Sequence, residues 1–291
     1  MKKWWMLGLL LGGLIQLTGG SVLATTDVQH NIEQASTQEV IQTELPAVGK
    51  QRTIYGYLTA PQNYQELKLP TIVLAHGFGG RAESLAFYAE AFAKQGYVVY
   101  SFDFMGGNPQ SRSGQDTLAM SVFTEKEDLE IVLDMLAKQS FVNSNYIFLM
   151  GQSQGGVVAT MVAAAHPEQV RGLLLLYPAY VLFDDARELF SSVEEIPAIY
   201  NHRGNNVGKV YFEKSLAYDI YRTMAHYQGP VAIAYGTQDE IEPVSYAERA
   251  QQTFKQATLL KVEGAGHAFN QAQSQQALRL YLGLLAQEVA Q

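Results

Sequence analysis

The sequence predicts an α/β fold: a mostly parallel central sheet, helices on both faces, and a cap insertion late in the chain. Three observations carry this. Continuous apolar runs of strand length recur at Pro70–Ala75, Tyr97–Phe102, Tyr146–Met150, Val170–Leu176, Pro230–Tyr235 and Ala257–Val262, the pattern of strands buried on both faces. Segments with helical spacing stand between them, and such alternation implies right-handed parallel crossovers. The rhythm breaks at residues 178–228 and then resumes.

Composition bounds the possibilities. The chain has 291 residues, 47% hydrophobic and 16% charged, which is enough apolar material for a large core and too little charge for a disordered chain. The net charge is −8. No Lys/Arg cluster is present, which argues against nucleic acid as a partner. With no cysteine, neither disulfides nor a lipid-bearing cysteine are available.

Taken in order, the chain opens on Lys2-Lys3, an apolar run from Trp4 to Leu17, and Val22-Leu23-Ala24 before Thr25. Residues 1–24 read as a signal peptide; the alternative is an uncleaved membrane anchor, for which the apolar run is short. This predicts a secreted or cell-surface protein, with no stable membrane partner beyond that possible N-terminal anchor. Residues 25–48 are rich in Gln, Thr and Glu and read as a linker. Residues 49–291 then form the globular domain. Thr53–Leu58 reads as an antiparallel lead-in strand and 61–68 as a turn. Ser84–Gln95 has helical spacing, stopped by Gly96. Asp103–Thr117 is a Gly/Ser/Asn/Pro loop. Thr124–Lys138 is an amphipathic helix with Leu129, Val132, Leu133 and Leu136 on one face, and Thr124 with Glu127 fits a capping box. Helices are also expected over 244–256 and 271–290.

The pentapeptide Gly151-Gln152-Ser153-Gln154-Gly155 lies between an apolar strand and a small-residue helix. A serine at such a turn is a nucleophile elbow, where glycines are needed because side chains would collide with the adjoining strand and helix. Ligands of parallel sheets sit at the carboxyl ends of the strands. The loops at 76–80, 103–117, 151–155, 236–243 and 263–267 all fall there. A serine hydroxyl needs a base, and the base an orienting group. In the order serine, acid, histidine, His267 is the late histidine and Asp239 the acid, with Glu240 and Glu242 as neighbours that also qualify.

The set HGFGG, GQSQGG, GTQDEIEP and GAGH resembles the α/β-hydrolase superfamily over residues 50–290. FDFMGG at 102–107, SVFTEKEDL at 121–129 and GQSQGGVVA at 151–159 look closest to bacterial cinnamoyl (feruloyl) esterase-like serine hydrolases. Two features depart from those esterases: Gln152 stands where they often carry histidine, and the loop after Asp103 is longer and richer in Asn and Ser. The resemblance implies a serine hydrolase that cleaves carboxylic esters through an acyl-enzyme, with a small-molecule ester as its substrate; the N-terminal segment adds export. It also implies an oxyanion hole made by the backbone N–H groups of Phe78 and Gln154. Fixed donors of this kind stabilise the developing negative charge, and losing one costs about 10²–10³ in rate.

Other candidates read as structural. His76 shapes the oxyanion loop, and Asp103 organises the loop that follows it. His30, His166, His202 and His226 lack a partner pattern. No metal and no cofactor are expected, because no cluster has metal-ligand spacing and residues 79–84 lack the lysine of a phosphate loop. The 178–228 insertion is rich in tyrosine and carries Phe183, Phe190 and Phe212; these line an acyl pocket or form the insertion's own core. A peptidase or amidase on the same scaffold is the alternative function, with Asp184-Asp185 or Glu194-Glu195 as a site for a free amine. A non-catalytic binding protein is the remaining reading.

Overall fold

Eight strands join into one sheet. They are β1 (Val40–Glu44), β2 (Gly56–Pro61), β3 (Leu69–Ala75), β4 (Val98–Phe102), β5 (Val142–Gln152), β6 (Gly172–Leu176), β7 (Pro230–Gly236) and β8 (Gln256–Val262). The structure, a computed structural model, describes the backbone of residues 19–291 and side chains from Asp27 onward. Most of the segment read as a signal peptide lies outside the described residues. The strand order is β1-β2-β4-β3-β5-β6-β7-β8. β1 is antiparallel to β2, and β2 to β4. Every other pairing is parallel. Residues in β3, β4 and β6 are buried throughout, as strands covered on both faces must be.

The helices are α1 (Gly19–Ser36), α2 (Ala86–Ala93), α3 (Val122–Leu136), α4 (Gln154–Ala165), α5 (Leu182–Leu189), α6 (Val210–Glu213), α7 (Ile220–Met224), α8 (Val244–Thr253) and α9 (Gln271–Val289). α1, α2 and α9 cover one face of the sheet, and α3, α4 and α8 the other.

Residues 25–48 are not a linker, contrary to the sequence reading. α1 continues to Ser36 and buries Val28 and Ala35, with Ile32 packed on the core. These three are spaced four and three apart and so share one helix face. The other residues from Asp27 to Ser36 are polar and, apart from half-buried Asn31, exposed, which is why the composition reads as unstructured. β1 then adds an edge strand, and Ala47–Gly49 pairs with Arg52–Ile54. The lead-in strand is therefore split at Tyr55.

α3 begins two residues earlier than its spacing predicts. Ser121 is the N-cap: its N–H donates to Thr124 Oγ1 at 2.8 Å and its Oγ accepts from Thr124 N–H at 3.3 Å. The Thr124/Glu127 box does not form, and Glu127 pairs instead with Arg52 at 2.9 Å.

The segment between β6 and β7 adds no strand to the main sheet. It holds α5, α6, α7 and a hairpin, Ile199–His202 with Asn205–Gly208. Arg203 and Gly204 turn the hairpin with φ of 48° and 86°, the two positive values that a two-residue turn matching strand twist requires. Phe190, Tyr200 and Phe212 interlock with ring separations of 5.1–5.5 Å. Most of the aromatic excess is thus the segment's own core.

Candidate active site

β5 ends at Gln152 and α4 begins at Gln154, leaving Ser153 at φ 51°, ψ −121°. A non-glycine residue there stores about 1–3 kcal/mol and persists only where its surroundings fix it. They do: Ser153 N–H donates to Leu176 O at 2.9 Å, and Ser153 O accepts from Gly156 N–H at 2.9 Å and Ala179 N–H at 3.0 Å. The flanking glycines are steric necessities. A Cβ on Gly155 would fall 2.2 Å from Ala75 O, and one on Gly151 2.3 Å from Gly155 O.

The loops after β7 and β8 bring Asp239 and His267 to this serine. Ser153 Oγ and His267 Nε2 are 2.9 Å apart. On the other side of the ring, His267 Nδ1 lies 2.9 Å from Asp239 Oδ2. Asp239 Oδ1 accepts from Ile241 N–H at 3.0 Å and Glu242 N–H at 2.9 Å. Its carboxylate is fully buried, so these three donors replace lost water. With Nδ1–H donating to the carboxylate, Nε2 is left as an acceptor facing the serine. Of the neighbouring acids, Glu240 is exposed. Glu242 is buried but turned elsewhere: it accepts from Val181 N–H at 3.2 Å, and burial pushes its carboxyl up to about 9.

Gln154 opens α4, so its N–H is among the free N-terminal donors of that helix. Phe78 lies in the loop after β3, where Gly77 passes so close that a Cβ would sit 3.1 Å from Ser153 Cβ. His76 pins this loop. Its Nδ1–H donates to Gly77 O at 2.8 Å, and its Nε2 accepts from Phe104 N–H at 3.1 Å. Burial lowers its pKa, which suits a neutral structural histidine. Asp103 likewise organises loops, accepting from Ala82 N–H at 2.7 Å and from Arg112 N–H at 2.9 Å and Nε at 3.0 Å. Burial pushes its carboxyl up, but the Arg112 and Ala82 hydrogen bonds outweigh that and hold it below the usual range.

A cavity of about 330 Å³ opens on Ser153 and His267, with Phe78, Leu182, Asp185 and Tyr211 in its wall. The inserted segment supplies the last three. Sequence reasoning missed Glu125, Tyr177 and Tyr211 and did not place His202 here. His202 also reaches this cavity, and burial pushes its pKa down to about 4. Asp185 meets Arg203 at 3.5 Å. Gln154 Nε2 donates to Glu125 Oε2 at 2.8 Å, while Gln154 Oε1 accepts from Tyr211 O–H at 2.7 Å. Burial raises Glu125 to about 8. Gln152 Nε2 donates to Tyr177 Oη at 2.7 Å, and the Tyr177 ring packs 4.8 Å from that of His267. Partners 18 or more residues apart leave no spacing signal.

The pattern of a family described as serine aminopeptidase, S33, matches residues 68–201. The chain is 26% identical over 106 residues to putative esterase/lipase 2 of Mycoplasma genitalium, covering 36% of this chain and 37% of that one. Its counterpart in Mycoplasma pneumoniae is 30% identical over 112 residues, 38% of each chain. The chain thus spans less than two fifths of the length of these relatives. The monoacylglycerol lipase ABHD6 of Homo sapiens is 21% identical over 261 residues, covering 75% of each chain. Among solved structures, Est1E from Butyrivibrio proteoclasticus with ferulic acid bound superposes with a TM-score of 0.77 at 23% identity, over 85% of this chain and all of that one. The α/β hydrolase GrgF from Penicillium sp. sh18 gives 0.70 at 18% identity, over 86% of this chain and all of that one. Likeness at these identities shows the fold, which is the α/β-hydrolase fold.

Proposed function

We propose that this chain of α/β-hydrolase fold is an exported serine hydrolase that cleaves carboxylic esters through an acyl-enzyme. The observation that carries the reading is the unbroken hydrogen-bond chain Ser153–His267–Asp239 opening on a cavity. In this reading Ser153 Oγ attacks the ester carbonyl as His267 Nε2 takes its proton. Asp239 orients the imidazole and stabilises its cation. The carbonyl oxygen, now negative, is held by the N–H groups of Phe78 and Gln154. His267 then protonates the departing alcohol, and water releases the acyl group by the reverse proton path. These residues need no cofactor for this chemistry. The descriptions of several relatives as esterases or lipases support the choice of ester.

The family description favours a peptidase as the second reading. A free amine needs an uncommitted carboxylate at the cavity. Asp185 is there but pairs with Arg203. Asp184 pairs with Arg187 at 2.8 Å and accepts from Tyr246 O–H at 2.8 Å. Neither Glu194 nor Glu195 lines the cavity; Glu242 does, but burial pushes its carboxyl up to about 9 and it accepts from Val181 N–H. The ester reading is therefore preferred.

The test is turnover of short-chain nitrophenyl esters, methyl hydroxycinnamates and aminoacyl anilides, with Ser153→Ala as control. Ester turnover that vanishes in Ser153→Ala is expected. Turnover of the anilides alone reverses the two readings. A wild type that neither turns over any of them nor reacts with a fluorophosphonate favours the binding-protein reading. Export rests on residues 1–24 alone; an intact Met1 on protein from the cytoplasmic fraction removes that part of the proposal.

A further inference from the structure

Two chambers meet at Ser153. The first is the cavity walled by the inserted segment. The second, about 280 Å³, opens beside the same serine and shares Phe78, Gly79, Ser153 and His267 with the first. Its own walls are Gly77 and Gly80 of the loop after β3, together with Ser84, Gln152 and Tyr177. Among the described residues, nothing from 178–228 lines it, and neither does any Asp, Glu, Lys or Arg.

We propose that this second chamber binds the alcohol half of the ester and selects neutral, hydroxyl-bearing alcohols. The inference rests on the ester-hydrolase reading and adds the class of leaving group. An ester places two substituents on opposite sides of one carbonyl. With the carbonyl fixed at Ser153 Oγ, the two halves need separate space, and two chambers flank that atom. The order of release decides which half goes where. The alcohol departs first, while the acyl group stays bonded to Ser153, and water must then enter where the alcohol stood. The chamber left unroofed by the inserted segment permits that exchange. His267 borders it, so Nε2 can hand its proton to an oxygen leaving on that side.

The wall chemistry sets the class. Gln152 Nε2 is engaged by Tyr177 Oη at 2.7 Å, which fixes the amide. Its Oε1 has no protein donor among the described residues and is an acceptor. Ser84 Oγ accepts from Arg81 N–H at 3.0 Å and keeps its own hydrogen to donate. The floor is backbone: a Cβ on Gly80 would fall 2.9 Å from Gly77 O and 3.0 Å from Ser84 Oγ. One free acceptor, the hydroxyl hydrogens of Ser84 and Tyr177 and no counter-charge suit a polyol. A cationic or carboxylated alcohol would lose hydration there without a charged partner.

The experiment compares kcat/KM for the glyceryl and ethyl esters of one acid. Gln152→Leu should lower the glyceryl-to-ethyl ratio about tenfold, the effect of one hydrogen bond left unmade. Leu182→Trp, in the other chamber, should shift acyl-length preference and leave that ratio in place. A ratio unmoved by Gln152→Leu, or equal losses on both esters, overturns the assignment. A wild-type measurement stands apart from variant folding. Glycerol added during nitrophenyl ester turnover should compete with water for the acyl-enzyme. Its hydroxyl attacks the acyl carbonyl, the proton passes to His267 and on to Ser153 Oγ as that C–O bond breaks, and a glyceryl ester is released. Transfer to glycerol should exceed transfer to choline or lactate at equal concentration; equal transfer overturns the class. An enzyme active on esters but indifferent to the alcohol sinks this inference alone. A wild type inert to esters and to fluorophosphonate sinks the function beneath it as well.

Discussion

Asp239→Asn tests the proposed role of Asp239 as the orienting acid with little change of shape. Asp239 Oδ1 accepts from two backbone N–H groups, Ile241 at 3.0 Å and Glu242 at 2.9 Å, while Oδ2 faces His267 Nδ1 at 2.9 Å. An asparagine has one oxygen for these three donors. Turning its NH₂ toward the two backbone donors would leave both unpaired in a buried site, at about 1–3 kcal/mol each. The oxygen therefore stays with the backbone and the NH₂ faces Nδ1. The imidazole must then accept at Nδ1 and carry its proton on Nε2, where it can no longer take one from Ser153. A triad with that tautomer loses about 10⁴ in kcat, or about 5.4 kcal/mol of transition-state stabilisation. Nitrophenyl butyrate turnover measures the loss, and thermal unfolding should show a Tm within a few degrees of wild type. Glu240→Gln, on an exposed neighbour, is the control. If Asp239→Asn keeps more than a tenth of wild-type kcat with an unchanged Tm, Asp239 is not the orienting acid.

Three further outcomes are expected of the protein. Ser153→Gly removes the nucleophile but also the strain at φ 51°; it should raise Tm by about 3 °C, and an unchanged or lower Tm in a calorimetric scan speaks against stored strain. Burial pushes Glu242 up to about 9 and Glu125 up to about 8. The folded state keeps these protons where the unfolded chain releases them, so their contribution is full below the ordinary carboxylate range and is lost as pH rises toward 8–9. Glu242→Gln mimics the protonated form and should flatten the decline of unfolding free energy between pH 6 and 9, by on the order of a few kcal/mol; urea-unfolding curves whose pH dependence superimposes on wild type refute this. Deleting residues 1–37 removes α1 and uncovers the surface under Val28 and Ala35, which should cost about 2–4 kcal/mol. A urea midpoint equal to that of the full chain would mean that α1 contributes nothing to the fold.

The sheet was legible because its central strands are buried on both faces, so each reads as an unbroken apolar run without reference to partners. The serine was legible because its turn forbids side chains at 151 and 155, and that constraint is local. Choosing Asp239 over Glu240 and Glu242 was harder, since three carboxylates within four residues look alike in composition. What separates them is reach. Asp239 Oδ1 caps the N–H groups two and three residues ahead, a turn that short Asp side chains make with their own backbone. Holding one oxygen there aims the other at His267. α1 escaped notice for the opposite reason. Its apolar stripe is Val28, Ile32 and Ala35, too thin to outweigh the polar residues around it, and what it packs on lies far along the chain.

The inserted segment shows why aromatic content alone does not define a pocket. Phe190, Tyr200 and Phe212 face one another, whereas Tyr211 reaches across to the elbow and donates to Gln154 Oε1. Gln154 is thus held from two sides, by Tyr211 and by Glu125. It is also the residue whose N–H is assigned to the oxyanion. An ionised carboxylate hydrogen-bonded to the Gln154 side chain would oppose the negative charge that the Gln154 N–H is proposed to stabilise. Burial removes the conflict by keeping Glu125 protonated at neutral pH. The trio Glu125, Gln154 and Tyr211 is then neutral and internally hydrogen-bonded, so it fixes the donor without adding charge. A carboxylic acid kept neutral in this way explains how a glutamate can sit buried beside the proposed oxyanion donor, and why neither its position nor its state could be read from spacing.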